Sequence, residues 1–80
     1  MMEADETLFS PEYLGIVLAK AIEIVRFKRR MSHAQIYNRM GLTKTTFYRY
    51  MNGNPIKRRP FELTMSQLQE LFQDAAAGER

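Results

Sequence analysis

The sequence predicts an all-α domain, and two observations carry that prediction. Helix-start signals recur along the chain: Ser10-Pro11-Glu12, Ser32 with Gln35, Thr43, and Thr64 with Gln67. Apolar residues then return every three or four positions, the spacing of one helix face. The length of 80 residues gives room for a single small domain. It is expected over residues 9–78, behind an acidic arm at 1–8 expected to be disordered. No internal repeat, interdomain linker or low-complexity segment interrupts it.

The first helix starts strongly. Ser10 caps, Pro11 suits the first helical position, and Glu12 favours the positive end of the helix dipole. Phe9 and Leu14 are spaced as a hydrophobic staple. The helix is expected to reach about Arg30, with Leu14, Val17, Leu18, Ala21, Ile22 and Val25 as its buried stripe. Lys28, Arg29 and Arg30 complement its negative end. Ser32 and Gln35 form a capping box for a short second helix, which Gly41 ends through a positive φ. Thr43 caps a third helix over Lys44 to Asn52, closed by Asn52-Gly53-Asn54-Pro55. Residues 54–63 read as a basic, proline-punctuated loop. The fourth helix is expected to start at Thr64, or at Ser66 with Gln69, and to bury Leu68, Leu71 and Phe72.

Composition excludes several classes of function. Without cysteine there is no disulfide framework, thiolate metal site or cysteine nucleophile. A single histidine, His33, excludes sites that need two. No nucleophile–base pair or phosphate loop is present, so the chain is not read as an enzyme and no metal, cofactor or small-molecule ligand is expected. Its apolar runs are too short to span a bilayer, and its start is acidic where a signal peptide is basic. A cytoplasmic, nucleoid-associated protein is therefore expected, with no membrane partner.

The net charge of +3 conceals a segregation. Residues 24–61 hold ten of the twelve Lys and Arg and none of the nine Asp and Glu. An even spread would put about four of the acids there. Such a block is the footprint of a polyanion partner.

Within the block, Met31 to Gly53 reads as helix, tight turn, helix. Ile36, Met40, Leu42, Phe47 and Tyr50 would form an apolar knot around the turn. Helix periodicity then turns Lys44, Thr45, Tyr48, Arg49 and Asn52 outward, a set of side chains suited to base edges and phosphates. Thr46 is read as serving the helix start.

These residues resemble the helix-turn-helix of the phage lambda repressor and Cro family, also called Xre-like. The resemblance rests on Ser32, Ile36, Met40, Gly41, Leu42, Thr43, Thr46, Phe47, Arg49, Tyr50 and the closing Asn52-Gly53, and extends over roughly residues 14–75. It implies a lambda-repressor-like domain of four to five helices that binds double-stranded DNA as a homodimer on an inverted repeat. By the same resemblance Lys44, Thr45, Tyr48 and Arg49 would read bases. His33 and Asn52 would approach the phosphate backbone, and so would Lys57, Arg58 and Arg59 from the following loop.

The sequence departs from the family pattern at Tyr37, where a small residue is usual; the ring either turns outward or splays the helix pair. Many members also add a fifth helix that helps them dimerise. Finally, Tyr13, Ile16, Ile24 and Phe27 widen the apolar arc of the first helix beyond what one packed face needs. Either the arm or the fourth helix covers them, or they form an oligomer or partner interface. If that interface dominates, the alternative function is a helix-turn-helix fold used as a protein-binding adaptor or antirepressor-like partner.

Overall fold

Ser10, Ser32 and Thr43 each cap a helix as their positions demand. The Ser10 hydroxyl accepts the Tyr13 N–H at 3.2 Å, and the Thr43 hydroxyl accepts that of Thr46 at 3.2 Å. At Ser32 the box closes in both directions, Gln35 N–H to Ser32 Oγ at 3.1 Å and Ser32 N–H to Gln35 Oε1 at 2.8 Å. Each cap is worth about 1 kcal/mol. The computed structural model describes residues 10–78, with side chains through residue 74. The acidic arm and the Phe9 half of the first staple lie outside the described residues. Among the described residues four helices follow in order: α1 Pro11–Arg29, α2 His33–Met40, α3 Lys44–Met51 and α4 Arg58–Gly78. The protein is all-α, and no helix among the described residues is long and apolar enough to cross a membrane.

The first three helices end by one device. A residue with left-handed backbone lets the next N–H reach back five residues to a carbonyl: Met31 to Arg26, Leu42 to Tyr37, and Asn54 to Arg49. The left-handed residues are Arg30, Gly41 and Gly53. Two are glycines, which lack the Cβ that resists this conformation; Arg30 is the exception.

The core is drawn from every helix. Leu14, Leu18, Ile22 and Val25 of α1 meet Ile36 and Met40 of α2, Phe47 of α3, and Leu68 and Leu71 of α4. Full burial of such side chains contributes about 1.5–3 kcal/mol each. Phe47 sits at the crossing of the helix pair. The Tyr37 ring lies 5.4 Å from it, half-buried, so Tyr37 packs against the third helix rather than turning away.

The start of the fourth helix is a correction. The expected loop over 54–63 ends at Lys57, and α4 begins at Arg58, ahead of both the Thr64 and the Ser66 starts. Pro60 explains the difference. Within the first turn a proline removes only an N–H that has no intrahelical acceptor anyway, so it does not break the helix. The next residue, Phe61, donates to the Lys57 carbonyl at 3.0 Å. Thr64 is therefore no cap. It is buried in line with Leu68 and Leu71 at helical spacing.

Two features fix the short connection Asn54–Lys57 against α1. The Ile56 side chain is buried and its N–H donates to the Pro11 carbonyl at 3.1 Å. Gly15 of α1 lies directly beneath, where a Cβ would stand 2.2 Å from the Asn54 carbonyl oxygen. Only glycine permits that approach.

Candidate nucleic-acid interface

Burial of Phe47 orients α3. With that ring inside, Lys44, Thr45, Arg49 and Asn52 are exposed, as the periodicity requires. Thr46 is half-buried, and its hydroxyl accepts a hydrogen bond from Thr43 at 3.0 Å, in keeping with a structural role.

Tyr48 stands at the edge of this face, 37% exposed. Its hydroxyl lies 3.3 Å from Nδ1 of His33, the first residue of α2. The His33 ring packs 5.5 Å from Phe47 and 5.6 Å from Tyr48, and its Nε2 is buried with no hydrogen-bond partner. His33 thus bridges the two helices and holds Tyr48 from the side. Sequence reasoning placed His33 near a backbone contact and missed this pairing, because nothing in the local pattern links positions fifteen residues apart.

On the opposite side of α3, Arg49 faces the connection to α4. Together with Thr46, Asn54, Lys57 and Pro60 it lines a notch of about 250 Å³. Ile56 and Gly15 hold the floor of that notch, since they fix the connection that carries Lys57. Sequence reasoning missed both. A lone glycine inside an apolar helical stripe was the available signal for Gly15, as a lone apolar residue in a basic loop was for Ile56.

The basic triplet does not stay together. Lys57 lines the notch, whereas Arg58 borders the crease between α1 and α4 and pairs with Glu62 at 3.1 Å. Arg59 is exposed in the first turn of α4. Three cations at a helix start oppose the local dipole, a cost that an anion bound there would relieve.

The ion pairs are distributed unevenly. Arg26 is paired with Glu23, Arg39 with Asp74 and Arg58 with Glu62. Lys44, Arg49, Lys57 and Arg59 have no ion pair among the described residues. The carboxylates thus leave α3 and the notch positive, and Lys20, Lys28 and Arg30 of the first helix and its end likewise lie outside those pairs. Among the described residues no three His, Asp or Glu side chains gather as a metal-ligand set.

The remaining sequence-derived cluster, Tyr13, Ile16, Ile24 and Phe27, is exposed along α1. Helix α4 does not cover it. Leu63 is a further exposed apolar side chain on α4.

No known protein family, curated protein or solved structure matches the chain.

Proposed function

We propose that this chain is a sequence-specific, double-stranded-DNA-binding transcriptional regulator of the phage repressor or Cro type, with α3 as its recognition helix. The observation that carries this reading is the unneutralised charge of Lys44, Arg49, Lys57 and Arg59, spread over one exposed helix and the adjoining notch. An exposed α-helix of this kind fits the major groove of B-DNA. The resemblance of residues 31–53 to the lambda repressor and Cro helix-turn-helix supports the same assignment.

In this reading Lys44, Thr45, Tyr48 and Arg49 meet base edges, with His33 fixing the attitude of Tyr48. Asn52, Lys57 and Arg59 hold phosphates and set register. Arg58 contributes less than its neighbours, because Glu62 already engages it. A homodimer on an inverted repeat and a place on the nucleoid follow from the same reading.

Selection from a random duplex pool at about 0.15 M salt, where non-specific contacts are weakened, tests it. An enriched sequence, expected as an inverted repeat, supports the assignment. On that sequence Arg49→Ala should cost about 1–3 kcal/mol and relax base preference. Lys57→Ala should weaken cognate and scrambled duplexes alike and flatten the salt slope by about one unit. Salt-sensitive binding with no enrichment would remove the base-reading roles. Absence of binding would leave the adaptor function in first place.

A further inference from the structure

Helix α1 is apolar on opposite sides. Its inner face, Leu14, Leu18, Ile22 and Val25, is in the core. Its outer face exposes Ile16 at 51% and Phe27 at 79%, while Ile24, 54% exposed, flanks the crease against α4. Large apolar side chains on a second face call for a cover of their own, and the described residues supply none.

The outer face has an order that indicates what supplies the other. Ile16, Lys20, Glu23 and Phe27 follow one another at helical spacing of four, three and four residues, so they form a single stripe along α1. Lys20 and Glu23 are both exposed. Read from the N-terminus the stripe runs apolar, cation, anion, apolar. Turned end for end it runs apolar, anion, cation, apolar. The stripe is therefore complementary to its own two-fold image. Two copies of α1 laid antiparallel set Ile16 against the partner's Phe27, and Lys20 against the partner's Glu23, each contact made twice. A parallel arrangement would set Lys20 against the partner's Lys20. Closed dimers require this self-complementarity of one patch.

We propose that the protein associates with a second copy of itself through the outer face of α1, antiparallel, in the register that pairs Lys20 with the partner's Glu23. Among the described residues Glu23 pairs with Arg26 at 3.7 Å, with both side chains about half exposed, a weak hold that leaves it available to the partner. None of the four stripe residues lies on α3 or the connection to α4. Pairing through α1 therefore leaves the notch of Arg49 and Lys57 open. This surface differs from the added fifth helix through which the resemblance would imply dimerisation. The self-association is read from the α1 stripe, and it supplies a contact surface for the homodimer that the DNA-binding reading expects. A contact of one helix per subunit falls at the small end of interfaces, below roughly 1,200 Å², the class of weak and transient contacts.

Sedimentation equilibrium of the full chain, over roughly 1 µM to 1 mM, measures the association directly. The mass should rise from 9.4 kDa toward twice that value. Phe27→Lys should weaken the dimer by tenfold or more, with helix content retained, and with Tm retained at concentrations where the chain is monomeric, because Phe27 is not part of the core. Lys20→Glu and Glu23→Lys should each weaken self-association by about tenfold, since each sets like charges face to face. Mixing those two variants should restore a heterodimer, an outcome that a change within one helix cannot produce. A wild-type chain monomeric across the range would overturn the proposal. So would a dimer that Phe27→Lys leaves intact, as that would place the interface elsewhere. Failure of the mixed variants to pair would overturn the antiparallel register. Duplex selection reports on DNA binding whichever result is obtained.

Discussion

Arg30 carries a left-handed backbone, φ 53°, where the ends of α2 and α3 use Gly41 and Gly53. For a residue with a Cβ this conformation costs about 1–2 kcal/mol. Glycine would remove that cost while adding about 0.5–1 kcal/mol of chain entropy lost on folding. Arg30→Gly should therefore stabilise the fold, by about 0.5–1 kcal/mol, and raise Tm by roughly 4 °C for a domain of this size. Thermal unfolding followed by circular dichroism checks it; a lower Tm would mean that the arginine side chain makes a contact worth more than the strain. The sequence shows why this position is hard to read. Three basic residues complement the negative end of α1, and that electrostatic signal masks the backbone requirement at the last of them. His33 illustrates a similar limit. Periodicity turns Tyr48 outward correctly, but its hydroxyl contact depends on how two helices cross, which no local pattern encodes.

At the scale of elements, the caps made the first three helices legible, because each rests on a hydrogen bond between residues three apart. Helix α4 was only partly legible. Its inner stripe of Leu68, Leu71 and Phe72 was read correctly, but Pro60 was read inside a loop over 54–63 when it occupies a first turn. The periodicity held the answer: Phe61, Met65, Leu68 and Phe72 continue one face and all pack on the core. The candidate site depends on this start, since it brings Lys57 to Arg49. It depends equally on Gly15, where the connection meets α1. Gly15→Ala isolates that contact. Helix propensity alone favours alanine by about 1 kcal/mol. The new Cβ would stand 2.2 Å from one backbone atom and 2.8 Å from two more, and backbone cannot swing aside as a side chain can. Overpacking of this kind costs about 1–3 kcal/mol, occasionally more, and here it should win. A net loss of about 2 kcal/mol would lower Tm by roughly 10 °C. Unchanged or increased stability would show that the connection is not clamped on α1, and the notch would lose its physical basis.

For the whole molecule the governing fact is segregation of charge rather than its net value. Local pattern located the cationic block in the sequence, but which of its members are neutralised is a tertiary matter: Asp74 reaches Arg39 across 35 positions. Two electrostatic effects oppose each other in the free protein. The exposed pairs of Arg26, Arg39 and Arg58 stabilise it by at most about 1 kcal/mol each. Repulsion among the unpaired cations of α3 and the notch destabilises it, and repulsion acts over longer distances. Salt separates the two. At about 0.01 M the screening length is about 30 Å, and at 0.1 M about 10 Å. The molecule measures 44 by 25 by 19 Å, so at low salt the screening length exceeds its width and neighbouring cations on the face act on one another. Raising KCl across that range should screen the long-range repulsion before it dissolves contact pairs. Tm should therefore rise by several degrees, and Lys57→Gln should shrink the rise by removing one member of the cluster. A Tm that falls with salt would mean that the pairs outweigh the repulsion. The face would then be an electrostatically satisfied surface, and the charge map would no longer argue for a polyanion partner.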